Sequence, residues 1–310
     1  TWAQWTPSDV WAELRRYGLD LAPSPVPQHA YWWNGLRAAA GSPDELLEIL
    51  DVPNQLLTAR SREVFPEPYA PLRSETAGAL DGVSLLDEID LLPITVEQRS
   101  LLRSFWTLNF NGRIEDAAYT QALRWAALAN GDWRVMFETC ATYKIAGGTR
   151  ALADAMRRDV DAEFVFGADV RRIERDGERV QVVTADGATR TAADVVVTIP
   201  LHALHRVSFT PELPAEVSPA AEHGQLGLGT KIWFTIEGEH PAFVALGADD
   251  WPLNFFQSEY VKDGRTFVIG FGPDARAIDP SDTDAIQELL RRLVPDARLD
   301  DLMISWASDG

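Results

Sequence analysis

A run of five largely apolar residues, Val195–Ile199, constrains the fold more than any other feature of the sequence. It lacks polar alternation and stops at Pro200. Such a run is typical of a strand buried on both faces, because a strand with one wet face alternates apolar and polar residues. Short apolar segments with polar turns precede it, and a glycine pair, Gly147–Gly148, leads into a helical pattern. Residues 146–200 are therefore predicted to form a helix followed by strands.

The rest of the chain divides into a helical part and a β-rich part. Residues 1–145 are predicted to be almost wholly helical, with a helix ending near Gly41, a proline-rich irregular region, and later helices (29–41, 51–82, 84–91, 95–110 and 116–128). Short apolar runs then predict an antiparallel or mixed sheet, followed by a terminal helix (231–236, 242–246, 252–257, 265–271 and 282–294). The predicted fold class is mixed α/β.

Charge and cysteine content exclude several classes of function. The formal net charge of −19 disfavours nucleic acid or an anionic membrane as partner, since both are negative. No run approaches the ~20 apolar residues of a membrane-spanning helix. The single cysteine, Cys140, excludes an internal disulfide and a cysteine-based metal site. We expect a cytoplasmic protein with no metal, no nucleic-acid partner and no membrane partner.

The chain has three lysines, Lys144, Lys231 and Lys262. Lys231 lies in a predicted strand, where alternation places it on one face with Trp233 and Thr235. On the pattern alone this face is expected to be exposed, since burial of an ammonium is costly; an inward-facing lysine is the alternative. Lys144 and Lys262 are expected to be simply exposed.

Two asparagines flank Phe110 where a helical pattern breaks. The favoured interpretation is that Asn111 and Gly112 end the helix as a C-cap. The alternative is that the amides of Asn109 and Asn111 donate and accept hydrogen bonds in an apolar pocket.

Five segments together resemble the flavin-dependent amine oxidases of the monoamine oxidase family, in order and spacing (147–155, 165–173, 194–201, 209–214 and 227–234). Residues 306–309 resemble the segment that leads back to the flavin domain, and Trp5–Trp11 resembles the nicotine-oxidase-like branch. The resemblance implies a helical and mixed-sheet substrate domain plus the middle part of a Rossmann-like FAD domain. The implied ranges are 1–145 (helical part, substrate domain), 146–221 (FAD domain), 222–305 (sheet part, substrate domain) and 306–310 (start of the return).

The resemblance also implies roles for individual residues. Val170 would grip the adenine of FAD through its backbone, and Pro200 would close the strand beside the adenosine half. Lys231 would hold a water against flavin N5 and favour negative charge on the flavin, which reverses the preference for exposure. The residues expected near the substrate are Trp106, Asn109, Asn111, Tyr143 and Phe255.

The implied reaction is hydride removal from the carbon next to an amine nitrogen, giving an imine, with O2 reduced to H2O2. The reactants would be a small-molecule amine and O2, and the resemblance allows a homodimer. The family's N-terminal glycine loop for the pyrophosphate and its C-terminal isoalloxazine segment are missing from the sequence. The chain is therefore expected to be an incomplete portion, inactive alone. The alternatives are a flavin dehydrogenase or desaturase acting on a non-amine, and a flavin-free binding or regulatory protein.

Overall fold

The computed structural model describes residues 8–215, 217–223 and 227–306. Residues 1–7 and 307–310 lie outside the described residues, and with them part of the Trp5–Trp11 segment and most of the expected return segment. The chain divides into two units: residues 8–159 with 227–306, and residues 160–223. The helix that follows Gly147 belongs to the first unit, whereas the sequence prediction grouped it with residues 160–221.

The helices begin where side chains cap the first free N–H groups. The α-helices are α1 (Ser8–Arg16), α2 (Pro43–Thr58), α3 (Ser61–Val64), α4 (Glu75–Leu80), α5 (Leu85–Leu91), α6 (Val96–Phe110), α7 (Tyr119–Leu128), α8 (Trp133–Ala141), α9 (Gly148–Asp159), α10 (Ser218–His223) and α11 (Thr283–Leu293). Capping boxes start α2 at Ser42 and α6 at Thr95. Within the described ranges, no helix has the length and apolarity needed to cross a membrane.

A seven-stranded mixed sheet organises the first unit. The strands of the chain are β1 (Leu21–Pro23), β2 (His29–Trp33), β3 (Ala38–Gly41), β4 (Tyr143–Ile145), β5 (Val170–Asp176), β6 (Arg179–Thr184), β7 (Thr189–Ala192), β8 (Ser208–Thr210), β9 (Thr230–Glu237), β10 (Phe243–Leu246), β11 (Phe255–Lys262), β12 (Arg265–Gly272) and β13 (Leu299–Trp306). The large sheet has the order β13-β9-β12-β11-β10-β2-β3, with β10 and β2 parallel and its other pairs antiparallel. The predicted mixed sheet is confirmed, and so is the mixed α/β class.

The two faces of this sheet pack against different helices. On one face Ile232, Phe234 and Phe256 form a core with the apolar side of α11. On the other face Phe255 joins a second core built mainly from α2, α5, α6 and α7. This alternation along β9 and β11 is what the period-2 pattern predicts.

The second unit contains a four-stranded sheet of order β7-β6-β5-β8. Its pairs are antiparallel except for β5 with β8. A 3-10 helix, Leu201–Arg206, follows Pro200, and α10 lies further along the chain. The short strands and the helix behind Pro200 agree with the sequence prediction.

The prediction for Val195–Ile199 is wrong. These residues form no strand, and Val196 is 86% exposed. A doubly buried strand needs a hydrogen-bonded neighbour and two covered faces. Among the described residues this run has no ladder partner, and the four-stranded sheet is built without it.

The predicted helix over 29–41 is also wrong, since these residues form the hairpin of β2 and β3. Ala30 and Trp32 are buried while their neighbours are not, which is the alternation of a half-buried strand. Residues 51–82 are more helical than predicted. Helix α2 continues through Pro53, which lies on its buried face, and α3 and α4 follow.

Candidate active site around Lys231

Strand β9 places Lys231 on the face of the sheet opposite the α11 core. Its neighbours in the chain, Thr230 and Ile232, are 2% and 0% exposed, whereas Lys231 and Trp233 are half-buried. Lys231 is therefore neither fully exposed nor enclosed. This intermediate position differs from the exposed face that the alternation alone predicts.

Aromatic rings surround the ammonium of Lys231. Its Nζ lies 5.2 Å from the centroid of the Phe271 ring and 5.6 Å from that of Trp233. Phe271 is the direct cross-strand partner of Lys231 on β12. At these distances the negative faces of the rings attract a cation. Among the described side chains, no carboxylate forms an ion pair with Lys231.

Further aromatic rings continue this surface across the sheet. Phe255 contacts Phe271 with a centroid distance of 5.8 Å, and Tyr260 stacks on Phe267 at 4.4 Å. Tyr260 also lies 6.5 Å from the Trp233 ring. The Lys231 face is thus a positive charge set in a predominantly aromatic surface.

A β-bulge brings a carboxylate to the same region. Ser258 pairs with Val268 and Tyr260 pairs with Phe267, so Glu259 is the extra residue between them. Glu259 is only 9% exposed; it forms an ion pair with Lys144 of β4, and Gln257 Nε2 donates to its Oε1 at 3.4 Å. Lys144 is therefore not the simply exposed lysine that the sequence predicted. Lys262, in contrast, is exposed as expected.

The surroundings of Lys231 oppose one another in their effect on its charge. Burial lowers the pKa of Lys231 below its ordinary value of 10.5, the negative charge of Glu259 raises it, and the positive charge of Lys144 lowers it. Burial is the largest of these effects. The ammonium is thereby easier to deprotonate than a lysine in water.

Asn111 ends α6 and supports the start of β9. It adopts φ 49° and ψ 44°, the left-handed conformation of a C-cap residue, which confirms the favoured interpretation. Its carbonyl accepts a hydrogen bond of 3.0 Å from the N–H of Gly229, two residues before Lys231. Asn109 donates its side-chain N–H to the carbonyl of Phe105 in its own helix, at 2.7 Å. Both asparagines act here on the backbone.

The other residues expected near the substrate lie in different environments. Phe255 belongs to the aromatic surface beside Lys231, through its contact with Phe271. Trp106 is completely buried in the helical core, where its indole N–H donates to Asn54 Oδ1 at 3.1 Å. Its position is that of a core residue with no surface open to a substrate. Tyr143 pairs with Pro23 on β1 and is 40% exposed.

The two residues expected to bind the adenosine part of a cofactor belong to the second unit. Val170 is the first residue of β5, where it pairs with Thr184 just before a register shift. Pro200 is exposed and caps the 3-10 helix Leu201–Arg206. The structure describes these positions within their own unit.

The chemistry of the Lys231 face fits an anionic, flat group better than a metal ion. A half-buried ammonium has N–H donors to offer, and the rings around it complement a planar apolar molecule. Among the described residues, no cluster of three or more His, Cys, Asp or Glu side chains could hold a metal ion. These residues therefore fit the electron-rich ring system of a flavin.

Sequence reasoning found Lys231 and Phe255 but missed four of their neighbours. Phe271 and Trp233 follow from the strand register, which a single sequence does not give. Glu259 and Lys144 are 115 residues apart in the chain. A glutamate inside the otherwise apolar run of β11 was the one available signal, because a buried carboxylate needs a partner.

Comparisons with known proteins agree on the nature of this chain. The family model described as "Flavin containing amine oxidoreductase" matches residues 1–309. Pseudooxynicotine dehydrogenase of Pseudomonas sp is 28% identical over 95% of this chain and 61% of its own length. Nicotine dehydrogenase of Pseudomonas putida is 27% identical over 99% of this chain and 65% of its own length. The chain thus spans less than two thirds of either relative.

A solved structure of wild-type putrescine oxidase bound to putrescine has the same fold. It superposes with a TM-score of 0.79 at 17% identity, over 99% of this chain and 72% of that one. This agreement confirms the fold class that the resemblance implied. Since the family model covers nearly the whole sequence, the chain belongs to the flavin containing amine oxidoreductases, whose cofactor is FAD.

Proposed function

We propose that the protein oxidises a small, apolar amine at a flavin and that Lys231 is its catalytic residue. The observation that carries the proposal is the half-buried ammonium of Lys231, held against Phe271 and Trp233 without an ion-paired carboxylate. Membership of the family supports the reaction class. When bound, FAD supplies the acceptor for a hydride from the carbon next to the amine nitrogen, leaving an imine.

In this proposal Lys231 contributes charge and hydrogen-bond donors. A fixed ammonium stabilises negative charge that develops near it, and a partly dehydrated site makes that stabilisation stronger than in water. Its N–H groups orient a water or oxygen molecule. Phe271 and Trp233 keep other water from the ammonium and limit its movement.

The aromatic surface supports an apolar or aromatic amine as the substrate. Phe255, Phe271, Trp233 and Tyr260 present rings, and the charged groups of the region are Lys231 and the paired Lys144 and Glu259. Flat apolar ligands bind such surfaces through stacking and area burial. A substrate with a free carboxylate would need a further cation.

A second candidate differs only in the electron acceptor. Two relatives are named dehydrogenases and the structural neighbour is named an oxidase. O2, with H2O2 as product, is the acceptor that we propose. An electron-transfer protein or a quinone-like molecule is the acceptor in the second candidate.

One experiment separates these possibilities. Full-length protein is purified, its visible spectrum is recorded, and an aromatic amine is added without oxygen and then with air. We expect the absorbance of oxidised flavin to disappear with the amine and to return with air, with one equivalent of peroxide. Return only with an added artificial acceptor favours the second candidate. A flavin spectrum that no amine changes, or no flavin spectrum at all, overturns the proposal.

A further inference from the structure

Glu259 and Lys144 form a charged pair at the edge of the Lys231 face. The carboxylate of Glu259 is 9% exposed, whereas the side chain of Lys144 is 36% exposed. A carboxylate this deeply placed is costly unless it is paired and hydrogen-bonded. Both requirements are met, by Lys144 and by Gln257.

The bulge explains why this carboxylate faces Lys231. Without an extra residue, strict alternation would place positions 257 and 259 on one face and 258 and 260 on the other. The bulge lets Tyr260 join the aromatic face while Glu259, hydrogen-bonded to Gln257, remains on it. Strand β12 alone separates β11 from β9 in the sheet, so long side chains reach across it.

We propose that Glu259 is a positioning residue that keeps Lys231 charged, and that Lys144 limits this effect by partly neutralising Glu259. The proposal rests on the proposed role of Lys231 in the flavin reaction. The charged groups that act on Lys231 from the elements around it are Glu259 on β11 and Lys144 on β4. Its other described neighbours, Phe271 and Trp233, supply uncharged rings.

The arrangement predicts opposite effects for the two partners. In Glu259→Gln the attraction is lost while the repulsion from Lys144 remains, so Lys231 should release its proton at lower pH. In Lys144→Gln the repulsion is lost and Glu259 is freed from its partner, so Lys231 should release its proton at higher pH. A residue that merely stabilised the fold would not produce shifts of opposite sign.

Lysine NMR provides a test that does not depend on turnover. The protein as purified is labelled with [13Cε]lysine, and the signals of Lys144, Lys231 and Lys262 are assigned from single Lys→Arg variants. The Lys231 signal is then titrated in wild type, Glu259→Gln and Lys144→Gln, with exposed Lys262 as the internal reference. We expect the Lys231 midpoint to move down in the first variant and up in the second, with Lys262 unmoved.

The possible outcomes separate this inference from the proposed function. Midpoints of Lys231 that stay at the wild-type value, or that move in the same direction in both variants, overturn the inference. If one variant fails to fold, the sign of the shift in the other decides. If the shifts have the expected signs but Lys231→Met reoxidises its flavin at the wild-type rate, the proposed function of Lys231 is wrong and the coupling stands.

Discussion

Replacing Gly229 by alanine should damage the support of Lys231 through one added methyl group. A Cβ at this position would lie 2.2 Å from Asn111 Oδ1 and 2.4 Å from the Asn111 carbonyl oxygen. The side chain could rotate away, but the carbonyl is held because it accepts the Gly229 N–H. Overpacking costs about 1–3 kcal/mol, and a weakened hydrogen bond about 0.5–1.5 kcal/mol. The expected loss is therefore about 2–4 kcal/mol.

Urea unfolding of Gly229→Ala measures this loss, with Gly78→Ala as the matched control. Gly78 lies in α4, where an added Cβ meets nothing within 4 Å. Since alanine favours helix over glycine, the control should be unchanged or more stable by up to about 1 kcal/mol. Gly229→Ala should also slow flavin reoxidation because the start of β9 is displaced. If Gly229→Ala is as stable as wild type, the contact between the end of α6 and β9 does not exist.

Two further substitutions test the segments that flank β9. The hydrogen bond from Arg276 lowers the pKa of Asp274 from 3.8 to about 2, so the interaction stabilises the folded state above the ordinary value and is lost as pH falls through about 2. Asp274→Asn should lose about 1–2 kcal/mol in urea unfolding at pH 7 and almost nothing near pH 2; an equal loss at both pH values would show that charge is not involved. Asn111→Ala should lose about 1 kcal/mol because alanine rarely adopts positive φ, whereas Asn111→Gly should lose less in the same assay. Equal stability of the two Asn111 variants would contradict a left-handed cap.

The sequence predicts elements best where one physical signal dominates. Helix α6 has a capping box at Thr95 and a clear apolar face, and α11 has four apolar residues on one side. Strands β9 to β12 are separated by turn residues and alternate cleanly. In such segments local propensity and burial agree, so the prediction needs no tertiary information.

The wrong predictions come from segments whose state depends on distant neighbours. Residues 29–33 form a strand because β10 and β3 pair with them on either side. The run Val195–Ile199 has strand composition but no ladder partner among the described residues. Pairing partners are set by the whole fold, and periodicity in one segment does not reveal them.

The candidate site divides in the same way. Lys231 could be found because it interrupts an apolar strand and the segment around it resembles a known family. Phe271 and Glu259 could not, since a strand register and a bulge bring them to Lys231. Trp106 was expected near the substrate because of its aromatic character, and its place in the core follows from packing between α6 and α2.

Flavin reoxidation in Lys231→Met tests the central claim most directly, with Lys262→Met as the matched control. Both changes remove one lysine ammonium, but Lys262 is exposed at the end of β11 while Lys231 is half-buried in the aromatic face. The full-length proteins are reduced with an amine without oxygen and mixed with oxygenated buffer in a stopped-flow instrument. We expect reoxidation to be slower by at least about a hundredfold in Lys231→Met, as for loss of a preorganised charged donor, and unchanged in Lys262→Met. Equal rates in the two variants would contradict the assignment of Lys231 to the reactive site.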